Sequence, residues 1–97
     1  MTALKEKFLL FRIRTFQDRE AFKELMEEHG SKLNRFLLLK LPRKQDAEDV
    51  FNETYWRIWS YISRTEIESL SGLIFTIARA SVAEFYRKRK MTVSINA

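Results

Sequence analysis

The sequence predicts an all-α fold, a compact bundle of three to four helices, and three observations lead there. Its 97 residues contain only two glycines and one proline to interrupt regular structure. Good helix formers such as Leu, Lys, Glu, Arg and Ala are abundant. Apolar residues, 45% of the chain, recur at helical spacing over long stretches. With 32% charged residues, the balance suits one folded domain with one core rather than a disordered chain.

The first segment, residues 1–17, is predicted as an N-terminal arm or short helix. From about Leu4 to Ile13 it mixes Phe8, Leu9, Leu10, Phe11 and Ile13 with basic residues. Such a segment either packs on the domain or serves as a docking arm.

The main body is expected over residues 18–90 and opens at Asp18, a residue type suited to cap a helix N-terminus. Glu20 follows in the first turn, where a negative charge suits the helix dipole. Phe22, Leu25, Met26, His29, Leu33, Phe36, Leu37 and Leu41 then repeat at helical spacing until Pro42 stops the helix. Gly30 weakens this helix without ending it. His29, the one histidine, has no metal-ligand partners at suitable spacing and is read as a packed side chain.

A third helix is predicted from about Gln45 to Ile62. At about 100° per residue, Ala47, Val50, Phe51, Thr54, Tyr55, Ile58 and Ile62 share the core arc. Asp49, Asn52, Glu53 and Ser60 surround Trp56 on the opposite arc. A tryptophan ringed by polar groups has the composition of a protein-docking anchor. Contact with a neighbouring helix is the alternative.

Periodicity lapses from Ser63 to Ser69, which predicts a loop. A fourth helix follows, from about Leu70 to Lys90. Leu70, Ile74, Ile77, Ala78, Val82 and Phe85 line one face. Gly72, Thr76, Arg79, Ala80, Ala83, Arg87 and Lys90 line the other, so small residues and positive charges coincide. Such a face brings a helix backbone close to a phosphate chain while Arg and Lys reach its oxygens. A plain solvated face is the alternative.

The charge pattern points the same way. Eighteen basic residues against 13 acidic ones give a net charge of +5, and Arg87, Lys88, Arg89 and Lys90 form one concentrated block. A basic block at a helix end fits an anionic partner such as nucleic acid; a solvated terminus is the other reading. The absence of cysteine excludes disulfides and thiolate metal sites. No apolar run approaches the roughly 20 residues of a membrane span, and a cytoplasmic location with no membrane partner is expected. Without a glycine-rich phosphate loop, a metal-spaced acidic or histidine cluster, or a nucleophile paired with a base, neither an enzyme nor a cofactor is expected.

The run Asp46-Ala-Glu-Asp-Val-Phe-Asn-Glu-Thr-Tyr-Trp-Arg-Ile-Trp59 resembles the polymerase-binding helix of sigma factors, in particular the extracytoplasmic-function group. Ile77-Ala78-Arg79 and Phe85-Tyr86-Arg87-Lys88-Arg89-Lys90 are similar to that family's promoter-binding helix, and Asp18-Arg-Glu-Ala-Phe-Lys-Glu-Leu25 to its opening helix. The resemblance covers about Asp18 to Lys90 and implies a region 2 domain of the sigma-70 family. By that resemblance, Asp49, Asn52 and Glu53 would dock on core RNA polymerase, at the clamp helices of its largest subunit, and Trp56, the anchor read from the same arc, is expected to join them. The loop Ser63 to Leu70, with Ser63, Arg64 and Thr65, would capture a base flipped from the non-template strand of the minus-ten promoter element. Thr76, Arg79, Ala80, Ala83, Arg87, Lys88, Arg89 and Lys90 would hold the adjacent DNA, and the domain would recognise and melt that element during initiation. An anti-sigma protein is a further partner implied by the family.

Four positions depart from the family pattern. Asn52 stands in place of Gln, Leu73 of Trp, Ala80 of Asn and Glu84 of Asp. The missing amide at position 80 weakens any promoter contact carried over there. It keeps open a helical adaptor that binds polymerase without promoter specificity. A general helix-turn-helix repressor is a third reading, and it would bind duplex tightly on its own. Family members carry a second helical domain, so Met91 to Ala97 is expected to begin an interdomain linker.

Overall fold

In the computed structural model, the backbone is described for residues 1–96 and the side chains for residues 1–90. The chain forms four helices: α1 (Ala3–Phe16), α2 (Arg19–Lys40), α3 (Lys44–Ile62) and α4 (Leu70–Asn96). No strand occurs among the described residues, so the all-α expectation holds. The expected linker, Met91 to Ala97, lies outside the residues whose side chains are described.

Each boundary has a local cause. Thr2 caps α1, its Oγ1 accepting from the Lys5 amide at 3.1 Å. The helix runs three residues beyond the predicted Ile13 and stops at Gln17, whose backbone turns left-handed at φ 54°. Asp18 caps α2 as predicted, accepting from the Ala21 amide at 3.1 Å. This amide is the leading reason its carboxyl lies below the ordinary carboxylate range, with Arg12 of α1 adding a second. Gly30 sits inside α2 without interrupting it, and Pro42 separates α2 from α3.

The predicted core faces are the ones that pack. Leu25, Leu33 and Leu37 of α2 meet Ala47, Val50, Ile58 and Ile62 of α3 and Leu70, Ile74 and Ala78 of α4. From α1, Leu9 and Ile13 join this cluster, so the first segment is a packed helix. Phe51 and Tyr55 remain half-buried rather than enclosed. Phe22 meets the rings of Tyr55 and Trp59 edge-on at 4.8 and 5.2 Å between centroids, which locks α2 against α3. His29 is packed as expected, its Nε2 lying 3.9 Å from Glu6 of α1.

No helix among the described residues is long and apolar enough to cross a membrane.

Candidate protein-docking and nucleic-acid interfaces

Asp49, Asn52, Glu53 and Trp56 are all exposed, and Trp56 keeps 60% of its surface accessible. They stand at successive turns of α3, so they form one continuous stripe. Because Ala47, Val50, Thr54 and Ile58 face the core, the polar residues between them must face outward. The leading acid of the run, Asp46, is not part of the stripe. It is nearly buried and takes the Arg43 guanidinium on both oxygens at 3.0 Å, a fork that holds its carboxyl below the ordinary range. Asp46 stands in the first turn of α3, where a negative charge suits the helix N-terminus, and it holds the side chain of the N-cap residue, Arg43.

Beside the stripe, Arg19, Phe22, Asn52, Tyr55, Trp56 and Trp59 line a recess of about 250 Å³. The Arg19 guanidinium lies 5.4 Å from the centre of the Trp59 ring. Sequence reasoning identified Trp56 but not this recess. Trp59 and Phe22 reach it from different helices.

On α4, Thr76, Arg79, Ala80, Ala83, Arg87, Lys88, Arg89 and Lys90 are all exposed. The inward row Leu70, Ile74 and Ala78 is buried, which turns the small and basic residues to solvent. Ala80 and Ala83 leave the helix surface low between the long arms of Arg79 and Arg87. Lys88 is tied to Glu84 at 3.0 Å.

The loop joining α3 to α4 differs from expectation in one residue. Ser63 is the C-cap of α3, and its side chain is buried rather than displayed. Its carbonyl accepts from the Gln17 side-chain amide at 2.9 Å, which binds the end of α1 to the end of α3. Arg64 and Thr65 are exposed; the Arg64 Nε donates to the Ser60 carbonyl at 3.0 Å. At the other end of the loop, the Ser69 hydroxyl accepts from the Gly72 amide at 3.2 Å and so starts α4 at Leu70.

A second wall faces this loop. Lys7, Leu10, Phe11 and Arg14 of α1, with Ile62, Thr65, Glu66 and Ile67, line an open recess of about 230 Å³. Arg14 pairs with Glu66 across it at 3.0 Å. These α1 residues were not predicted as site residues. The basic residues interspersed with apolar ones in this segment are the available signal, but only the fold brings them beside the loop.

The two exposed stripes are joined internally. Arg57 of α3 donates to Glu53 at 2.6 Å and to Glu84 of α4 at 2.7 Å, and its other terminal nitrogen reaches the Ser81 hydroxyl at 3.3 Å. No group of three or more His, Cys, Asp or Glu side chains among the described residues is placed to hold a metal ion.

A family model for Sigma-70 region 2 matches residues 25–92. The ECF RNA polymerase sigma factor SigM of Bacillus subtilis (strain 168) is 29% identical over 73 residues, which cover 75% of this chain and 45% of that protein. The chain therefore spans less than half the length of that curated relative. No solved structure matches the chain at a significant level.

Proposed function

The chain belongs to the sigma-70 region 2 family, and from that premise we propose that it docks on core RNA polymerase through α3 and engages the minus-ten promoter element through α4 and the loop before it. The observation that carries this reading is the separation of chemistries on two exposed helix faces. Asp49, Asn52, Glu53 and Trp56 combine acidic and amide groups with an aromatic anchor, a composition for a protein partner. Arg79, Arg87, Arg89 and Lys90 project from a helix whose intervening Ala80 and Ala83 permit close approach of a phosphate backbone.

In this reading the α3 stripe meets the clamp helices of the largest polymerase subunit. Basic side chains on that partner would find Asp49 and Glu53, while Trp56 supplies the apolar contact. The basic arms of α4 supply affinity for phosphates that carries no sequence information. Sequence preference comes from the loop, where Arg64 and Thr65 are exposed and α1 provides a facing wall. A base unstacked from the non-template strand would lie in the recess between them, against Phe11, with Lys7 toward its phosphates. Unstacking costs a few kcal/mol, which stacking and backbone contacts must offset.

Fluorescence anisotropy with a promoter library tests this, using non-template single strand and duplex, each with and without core polymerase. A preferred short motif in the single strand, lost when residues 64–67 are altered, is the expected result. Polymerase binding without sequence preference in any format would refute the promoter half. That outcome fits the second reading, a polymerase-binding adaptor, which is favoured by Ala80: its exposed methyl offers no hydrogen bond to a base.

A further inference from the structure

We infer that the recess between the start of α2 and the outer side of α3 is an anchor site that receives one apolar side chain of the docking partner, from a segment with basic residues beside that side chain. The inference rests on the docking reading of the α3 stripe and adds where the partner inserts and what it inserts.

The recess is continuous with the stripe, because Asn52 and Trp56 belong to both. Its walls are mostly ring carbon. Phe22 is nearly buried and is held edge-on against both Tyr55 and Trp59, so the cavity exists before any partner arrives. Phe22, Tyr55 and Trp59 are already ordered by these contacts, so this part of the recess takes a guest with little further loss of side-chain freedom, which is the property of an interface anchor point. Its volume of about 250 Å³ is on the scale of one large side chain.

Charge selects the kind of guest. Arg19 already holds its guanidinium over the Trp59 ring at the mouth, and its positive charge repels a lysine or arginine entering there. An apolar guest is therefore favoured over a cation. Asp49 lies one turn before Asn52 and Glu53 directly after it, both exposed, so basic residues flanking the guest meet carboxylates outside the recess. Glu53 shares Arg57 with Glu84 and retains 44% of its side-chain surface for such a contact.

The chain has two tryptophans, and both line this recess. Replacing tryptophan with 5-hydroxytryptophan makes their emission separable from that of polymerase. In the variant Trp56→Phe, Trp59 is the one remaining label, and bound core polymerase is expected to reduce its acrylamide quenching at least threefold. A Trp59 as open to quencher in the co-eluting complex as in the free chain overturns the inference and leaves docking intact. Failure of the unlabelled wild-type chain to co-elute with core polymerase overturns the docking reading and this inference with it. Because Trp56→Phe can weaken the complex, Arg19→Cys provides a second route in a chain without other cysteines. A benzophenone attached there should cross-link to a polymerase segment with an apolar side chain beside basic ones. A cross-link to a segment without that pattern, or none in a co-eluting complex, contradicts it.

Discussion

Arg57 of α3 donates to Glu84 of α4 at 2.7 Å, while Lys88 holds the other oxygen of the same carboxylate at 3.0 Å. The relation joins the helix proposed to meet polymerase to the helix proposed to meet DNA. Arg57 also binds Glu53, so one guanidinium spans a residue of the docking stripe and the flank of the basic stripe.

The Arg57 bond, followed by that of Lys88, lowers the Glu84 carboxyl to about 2. A depressed folded-state value means that its contribution to stability is complete above the ordinary glutamate range, near pH ~4.5, and is lost as pH falls toward about 2. Glu84→Gln should lower the urea midpoint at neutral pH. The difference from wild type should shrink through that acid window. A difference independent of pH would contradict the role of the ionised carboxylate.

Gln17 adopts a left-handed backbone at φ 54° and uses its side chain to hold the Ser63 carbonyl. Gln17→Ala keeps the unfavourable backbone and loses the bond, so a loss of about 1 kcal/mol is expected. Gln17→Gly loses the same bond but relieves roughly 1 kcal/mol of backbone cost, and should stay near wild type. Urea unfolding of the pair distinguishes the two contributions, and an Ala variant as stable as the Gly variant would rule out the backbone cost.

Gly30 lies in the interior of α2, and a Cβ placed there meets nothing within 4 Å. Gly30→Ala should therefore raise stability by about 1 kcal/mol through helix propensity alone. Thermal unfolding followed by circular dichroism checks it, and a lowered midpoint would reveal a steric demand that the geometry does not show.

Thr54 is fully buried on the core face of α3 with Val50 and Ile58, and its hydroxyl finds no partner among the described residues. Thr54→Val replaces this hydroxyl with a methyl of similar size and should stabilise by about 1 kcal/mol. Loss of stability in urea unfolding would mean that the hydroxyl has a partner in solution.

Much of the fold is legible in the sequence because α2, α3 and α4 each bury one face. Leu25, Leu33 and Leu37, or Val50, Thr54 and Ile58, recur with the helical period, and that period places Asp49, Asn52, Glu53 and Trp56 outside. In α1 the signal is poor: Phe8 and Phe11 are about half exposed while Leu9 and Ile13 are buried, so apolar residues surround the helix and its period is blurred. Contacts between distant parts of the chain leave no local mark. Gln17 meets Ser63 across 46 residues and Arg57 meets Glu84 across 27. The lapse of periodicity from Ser63 onward places that residue on the loop; its capping position at the end of α3 buries it instead. The α1 wall beside the loop and the recess at Trp59 have the same origin, since each is assembled from helices that the sequence does not bring together by pattern.

If α3 meets polymerase and α4 meets DNA, mutations on the two faces should separate the two kinds of binding. Binding of core polymerase and binding of promoter DNA by the assembled complex would be measured for Asp49→Arg and for Arg79→Ala with Arg87→Ala. Asp49→Arg should weaken polymerase binding at least tenfold. The α4 pair should bind polymerase as wild type does, lose DNA affinity across all sequences, and show a salt dependence reduced by about one unit of slope per arginine. Equal loss of polymerase binding in both variants, or unchanged DNA affinity in the α4 pair, would contradict the assignment of the two faces.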